Sequence, residues 1–231
     1  MAAISGGKSY HHGDLRNALI CAAVDLAREG GPERVVLREA ARRVCVSPTA
    51  AYRHFDGQGE LLSAVKIHAQ RELADAMERA AAARVCRADD PAVAAEVRLA
   101  ALGRAYVGFA LDQPGLYRAA FCTPRPACGE AWATGGRVSK PEPEIRAFTL
   151  LADALATLAR AGHVPPASRP DTEAAACSAV HGLSLLLLDG PLRRLPAWRR
   201  DDVVESTLAM VVSGVRAGRT ACEARTETTD G

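Results

Sequence analysis

Apolar residues recur every three or four positions through most of this chain, a spacing that predicts helices and no strand. The first predicted helix begins at Asp14 and ends at Gly30-Gly31-Pro32. Its buried stripe consists of Leu15, Leu19, Ala22, Ala23 and Leu26. Two short helices are predicted next, and then a long fourth helix over residues 58–84.

The remainder of the chain predicts a larger helical bundle. Further helices are expected over residues 92–112, 116–121, 144–161, 171–188 and 198–215. Residues 123–143 are rich in Pro and Gly and are expected to form a loop. The predicted fold class is therefore all-α, with a three-helix helix-turn-helix domain over 10–57 and a larger helical domain over 58–217. Residues 1–9 and 218–231 are expected to be a disordered arm and tail.

Residues 35–65 carry the most informative pattern. Leu37, Ala40, Ala41 and Val44 share one face of a short helix. A second short helix begins with Ser47 as N-cap and Pro48 at its first helical position. Ala51 and Phe55 can face inward there, which leaves Thr49, Tyr52, Arg53 and His54 outside. Small, hydroxylic, aromatic and basic groups on one short helix suit the major groove of DNA.

This region resembles the TetR family of bacterial transcriptional regulators. The resemblance lies in LREAARRV, the VS that precedes the second helix, AYRHF, and the paired Leu61 and Leu62. The upstream run YHHGDLR and the later HGLSLLLLDG, which begins at His181, are similar to one subgroup of that family. The resemblance implies a DNA-binding N-terminal domain and a C-terminal domain that binds a small effector and dimerises.

The resemblance also implies roles for individual residues. The implied contacts to base edges are Thr49, Ala50 and Arg53, with Pro48 beside them. Ala50 would contact thymine methyl groups, and the guanidinium of Arg53 would read guanine. The implied phosphate contacts are Ser47, Tyr52 and His54, with Arg38 and Lys8 as weaker candidates.

Two residues depart from the family pattern. Cys45 stands where members usually have the glycine of the turn, and at positive φ a cysteine would cost on the order of 1 kcal/mol. Gln58 stands where members usually carry a lysine that contacts a phosphate. Its absence should remove one cation from the salt-dependent part of DNA binding and leave the sequence preference intact.

The predicted function is a ligand-responsive regulator, most simply a repressor, although activation stays open. Helices 171–188 and 198–215 are expected to pair with those of a second copy in a four-helix bundle. Such a homodimer would read an inverted-repeat operator in double-stranded DNA. Candidate walls for a small apolar effector are Tyr106, Phe109, Tyr117, Phe121, Phe148 and His181. The aromatic residues among them would equally serve as plain core, and His181 as a satisfied core histidine.

Composition excludes some other classes of function. A net charge of +2 is too small for DNA binding by bulk charge, so the arginines gathered between Arg34 and Arg53 matter more. No apolar leader is visible and the longest strongly apolar run, 183–188, is too short to span a bilayer. Seven scattered cysteines favour reduced thiols, and we expect a cytoplasmic bacterial protein with no membrane association.

Four alternatives stay open at this point. His11 and His12 suggest a metal, and Cys122 and Cys128 a redox switch, but neither has a ligand spacing that is typical of a site, and we expect no cofactor. Against a helical-bundle enzyme, the sequence lacks the paired Glu-x-x-His motifs of bundle oxidases, and no nucleophile lies beside a candidate base. An adaptor that binds protein through its C-terminal helices is the remaining rival.

Overall fold

The computed structural model describes residues 15–83, 90–121, 143–161 and 169–227. Within these ranges there are nine α-helices, two short 3-10 turns and no strand, in agreement with the predicted all-α class. The α-helices are α1 (Leu15–Gly30), α2 (Leu37–Arg43), α3 (Pro48–Tyr52), α4 (Gln58–Ala83), α5 (Pro91–Asp112), α6 (Pro114–Phe121), α7 (Pro143–Arg160), α8 (Arg169–Leu188) and α9 (Ala197–Glu227). The 3-10 turns are Pro32–Arg34 and Pro191–Arg194.

The N-terminal helices α1–α3 and the first turns of α4 enclose one apolar core. Leu19, Leu26 and Phe55 are almost completely buried in it, as the helical spacing predicts. Gly31, at φ 83°, ends α1 in a backbone conformation that glycine adopts without strain. The predicted end of α1 is therefore confirmed, and its predicted start at Asp14 lies outside the described residues.

Helix α4 connects the two halves of the molecule. Its 26 residues give it a length of about 39 Å. Leu61 and Val65 lie in the N-terminal core, and Leu73 and Met77 are buried further along, beside the C-terminal helices. Arg28 of α1 also pairs with Glu72 of α4, so the two helices are joined by charge as well as by packing.

The C-terminal helices pack around α5, which contacts α4, α6, α7, α8 and α9. Asp90 caps α5 by accepting the N–H of Ala92 at 2.8 Å, and Pro91 occupies the first helical position. A bidentate ion pair between Arg104 and Glu205, with both N···O distances at 2.5 Å, joins α5 to α9. These contacts form a closed helical domain on the far end of α4.

The last helix is longer than the sequence predicts. It was expected to end at Val215 and instead continues to Glu227, so residues 218–227, expected in the polar tail, are helical. This extension is rich in Ala, Arg and Glu, which are good helix formers even without an apolar stripe. The expected arm 1–9 lies outside the described residues, and so does the expected loop apart from Pro143, which begins α7.

Candidate DNA-binding surface and ligand cavity

The turn between α2 and α3 is a Schellman motif with a cysteine in the left-handed position. The N–H of Cys45 donates to the carbonyl of Arg42 at 3.2 Å, and that of Val46 donates to Ala41 at 3.0 Å. Cys45 has φ 56°, the positive-φ conformation that its place in the sequence predicts. The strain that accompanies this conformation in a residue with a Cβ is therefore present.

Helix α3 is held at its start by Ser47, whose Oγ accepts the N–H of Ala50 at 3.2 Å. Ala51 and Phe55 are buried, at 0% and 1% exposure, and anchor the helix to the core. The side chains that remain outside are those expected there: Thr49, Tyr52 and Arg53 are exposed, and Ala50 and His54 are partly buried.

Phe55 and the start of α4 are joined through Arg16 of α1. The guanidinium of Arg16 lies 4.8 Å from the centre of the Phe55 ring and 3.2 Å from Glu60. The other oxygen of Glu60 accepts the N–H of Asp56 at 2.8 Å. The backbone N–H of Asp56 and then the guanidinium of Arg16 lower the pKa of Glu60. Together these contacts fix the orientation of α3 relative to α1 and α4.

The arginines between Arg34 and Arg53 differ in whether they form ion pairs with acidic side chains. Arg42 binds Glu39 through two hydrogen bonds of 2.9 and 2.6 Å. Arg43 binds Glu29 in the same way, at 2.8 and 2.6 Å. The hydrogen bonds from the arginines lower the pKa of both carboxyl groups.

Arg38 and Arg53 differ from Arg42 and Arg43. Both are exposed, and neither forms an ion pair within the described part of the chain. Their charges are therefore available to a partner molecule. Gln58, at the start of α4, is also exposed, at the position where the resemblance led us to expect a phosphate-binding lysine.

The C-terminal domain contains a cavity of about 160 Å³. It lies among α4, α5, α6, α7, α8 and α9, and its walls are almost entirely aliphatic and aromatic. The residues that line it are Gln70, Leu73, Met77, Leu99, Ala100, Leu102, Gly103, Tyr106, Phe121, Ala147, Phe148, Leu151, Ala176, Cys177, Val180, Leu208, Val211 and Val212. Such an apolar space suits a small molecule of similar character.

The six side chains predicted as ligand walls do not all reach this cavity. Tyr106, Phe121 and Phe148 line it. Tyr117 and His181 are not among the lining residues, but both form hydrogen bonds with Tyr106. Phe109, about one turn further along α5, does not line the cavity and instead borders a surface depression with Glu72 and Asp112.

Tyr106, Tyr117 and His181 form a hydrogen-bonded group. Each tyrosine hydroxyl shares a hydrogen bond with Nδ1 of His181, at 2.8 Å from Tyr106 and 2.9 Å from Tyr117. The ring of Phe121 packs edge-on against the imidazole at 4.9 Å between ring centres. Burial lowers the pKa of His181 and raises the pKa of Tyr117 to about 12. His181 and Tyr117 are therefore neutral near pH 7.

Gln70 is a site residue that the sequence reasoning missed. It lies on the inward face of α4, one turn before Leu73 and Ala74, and is 8% exposed. A glutamine on a mostly apolar inward stripe was the available signal. Within the described residues it is also a wall of the cavity whose side-chain oxygen has no hydrogen-bond partner.

Neither a cluster of metal ligands nor a membrane-spanning helix occurs among the described residues. Nowhere in residues 15–83, 90–121, 143–161 or 169–227 do three or more His, Cys, Asp or Glu side chains gather as metal ligands would. None of the helices over these ranges combines the length and apolar character that a bilayer crossing requires. Lys8, His11, His12, Cys122 and Cys128 lie outside the described residues.

Two stretches of the chain match known protein families. Residues 19–65 match the family described as bacterial regulatory proteins of the tetR family. Residues 99–211 match the family described as the tetracyclin repressor-like C-terminal domain. The chain belongs to the TetR family. It is thus a ligand-responsive DNA-binding regulator, which confirms at the family level the resemblance found in the sequence.

Solved structures share the TetR fold over most of their length. A protein of unknown function from Rhodococcus sp. RHA1 is 25% identical, with a TM-score of 0.66 over 90% of this chain and 98% of that one. A tetR-family regulatory protein from Rhodococcus RHA1 is 20% identical, with a TM-score of 0.55 over 85% and 96%. A tetR-family transcriptional regulator from Streptomyces coelicolor is 21% identical, with a TM-score of 0.52 over 89% and 90%. No curated protein shows significant similarity to the chain.

Proposed function

We propose that this TetR-family chain is a homodimeric repressor that binds an inverted-repeat operator and is released by a small apolar effector. The observation that carries the proposal is the exposed face of α3, which a capped N-terminus and a buried underside hold outward. We further propose that the chain belongs to the subgroup with the YHHGDLR motif and acts in the cytoplasm.

On the DNA side, we assign base contacts to the exposed face of α3. Arg53 would donate two hydrogen bonds to guanine, while Thr49, Ala50 and Pro48 would contact neighbouring bases. Ser47, Tyr52 and His54 would contact phosphates, with Arg38 adding a cation from α2. Support comes from Arg38 and Arg53 lacking an acidic partner among the described residues, whereas Arg42 and Arg43 are both paired with glutamates.

The dimer is supported by large apolar side chains exposed on α8 and α9. Leu185 and Leu186 are 43% and 44% exposed, and Met210 is 74% exposed. Their burial against the same helices of a second copy would form a twofold four-helix bundle. That symmetry would present two copies of α3 to successive major grooves, about 34–36 Å apart.

Coupling between cavity and DNA would run through α6. One end of this helix contributes Phe121 to the cavity wall. The other end places Gly115 against the carbonyl of Ala27 in α1. An effector that shifts α6 would therefore move α1 and, with it, α3. Linkage then requires that operator DNA weaken effector binding by the same factor by which effector weakens DNA binding.

The decisive experiment is selection of bound fragments from random duplex DNA, followed by footprinting of the winning fragment. We expect an inverted repeat whose half-sites lie one helical turn apart, and affinity that falls steeply with salt. Arg53→Ala should lose the preference for that fragment over a shuffled one. No enrichment at low salt, or a single unpaired half-site, would contradict the proposal.

A further inference from the structure

The amide of Gln70 has a fixed orientation in the wall of the cavity. Its Nε2 donates a hydrogen bond to the carbonyl oxygen of Ala120 in α6 at 3.0 Å. Rotation of the amide by half a turn would bring Oε1 against that carbonyl, and two acceptors would then face each other. Oε1 is therefore the amide atom that points away from the carbonyl of Ala120, and it has no hydrogen-bond partner within the described part of the chain.

A buried acceptor without a partner is uncommon in folded proteins because it has lost its hydration without compensation. A lone water would be a poor substitute, since a buried water needs two to four polar partners and the surrounding walls are aliphatic and aromatic. The residue is 8% exposed, so bulk solvent does not satisfy it either. The arrangement instead suits a ligand that carries a hydrogen-bond donor.

The other walls restrict the rest of that ligand. No charged side chain of the described residues lines the cavity, so an ionic ligand would be buried without a counter-charge. The hydroxyl of Tyr106 already hydrogen-bonds to His181. A neutral molecule that is apolar everywhere except at one end fits these walls.

The size of the cavity limits the ligand further. At about 160 Å³ it is close to the engineered cavities of ~150 Å³ that bind benzene. One six-membered ring with a short substituent fills such a space. We propose that the effector is a small neutral molecule of the phenol class, whose hydroxyl donates a hydrogen bond to Oε1 of Gln70. This assignment rests on the proposed effector-controlled function and specifies its ligand.

The test uses p-cresol and p-xylene, which have nearly the same shape and differ by one hydrogen-bond donor. Calorimetry on the full-length protein measures the ratio of the two dissociation constants, p-xylene over p-cresol. We expect Gln70→Met to lower this ratio at least tenfold, because the acceptor is gone while the side-chain volume is kept. The matched control is Leu61→Met, a buried position on the same helix outside the cavity, which should leave the ratio unchanged.

An unchanged ratio in Gln70→Met, or failure of the wild-type protein to bind either compound, would overturn the assignment. If Gln70→Met does not fold, the wild-type protein is titrated with p-xylene, p-cresol and p-toluidine, the last of which is a second ligand that carries a hydrogen-bond donor. Both donors should then bind at least as tightly as p-xylene, whereas a tenfold preference for p-xylene would refute the proposal. Operator binding is measured separately on the same samples. If the protein discriminates between the ligands but does not bind operator DNA, the proposed repressor function is refuted and the ligand assignment stands.

Discussion

Gly115 of α6 lies against the backbone of α1 so closely that a Cβ at this position would be 2.1 Å from the carbonyl oxygen of Ala27. The same Cβ would be 3.0 Å from the carbonyl of Arg28. A backbone neighbour cannot rotate away as a side chain can, so only glycine allows this approach. The contact joins the C-terminal end of the first helix in the DNA-binding domain to the helix beside the cavity.

Gly115→Ala should therefore force α6 away from α1. We expect the free energy of unfolding to fall by about 1–3 kcal/mol, as for other overpacked sites. Urea denaturation followed by circular dichroism measures it. Gly108→Ala is the control, because a Cβ there meets nothing within 4 Å and alanine favours the interior of α5. Gly108→Ala should be neutral or stabilising; equal losses in both variants would contradict the steric explanation.

Cys45→Gly should stabilise the protein. Glycine adopts the positive φ of 56° without the clash that a Cβ introduces, so the free energy of unfolding should rise by about 1 kcal/mol. Cys21 is a matched exposed cysteine inside α1, where Cys21→Gly should lower that free energy by a few tenths of a kcal/mol. Thermal or urea unfolding distinguishes the two, and a decrease for Cys45→Gly would show that the strain is absent.

Arg53→Ala should weaken binding to the selected operator by about 1–3 kcal/mol and leave binding to shuffled DNA much less affected. Fluorescence anisotropy with both duplexes measures the two affinities. Arg42→Ala removes the same charge from a side chain that is already paired with Glu39, so its effect should be smaller and uniform over sequences. A uniform loss for Arg53→Ala would assign this residue to a phosphate instead.

His181 should make stability depend on pH. Burial lowers its pKa in the folded protein below the ordinary value of 6.5, so the unfolded chain takes up a proton first as the pH falls. Stability from this group is thus fully present above the unfolded pKa and is lost below it. The difference in unfolding free energy between about pH 7.5 and about pH 5.5 should shrink in His181→Gln. An identical difference in wild type and variant would assign the pH dependence to other groups.

Met210→Asp should convert the proposed dimer into a monomer. The substitution places a carboxylate on a side chain that is 74% exposed in the single chain and would be buried between two copies. Val36→Asp is the control, since Val36 is also exposed but lies at the start of α2, outside the proposed interface. Sedimentation should show a monomer only for Met210→Asp. A monomeric wild-type protein would exclude the dimer.

The N-terminal part of the fold could be predicted from sequence because its signals are local. The helix start at Ser47 and Pro48 depends on residues that are adjacent in the chain, and so does the burial of Ala51 and Phe55. The left-handed turn at Cys45 was expected from the family resemblance, and the geometry confirms it. Each of these features is decided within one or two helical turns.

The cavity could not be predicted to the same degree, because periodicity gives the inward face of a helix and not its neighbour across the bundle. The partner of Gln70 is the carbonyl of Ala120, 50 positions away. Phe109 and Tyr106 both have the apolar character of a ligand wall and lie about one turn apart on α5, yet of the two it is Tyr106 that lines the cavity. The extension of α9 was missed for another reason, since a polar helix has no apolar stripe to reveal it.

Helix α4 belongs to both halves of the molecule, since Leu61 is enclosed with α1 while Met77 borders the cavity. A fragment that stopped at residue 57 would lack Glu60 and Leu61, and its remaining three helices would expose their inner surfaces to water. Anyone who grafts this DNA reader onto a foreign sensor should therefore transplant at least the first turns of α4 with it. The junction of such a chimaera would lie inside α4, so the helical register has to continue across it without a shift.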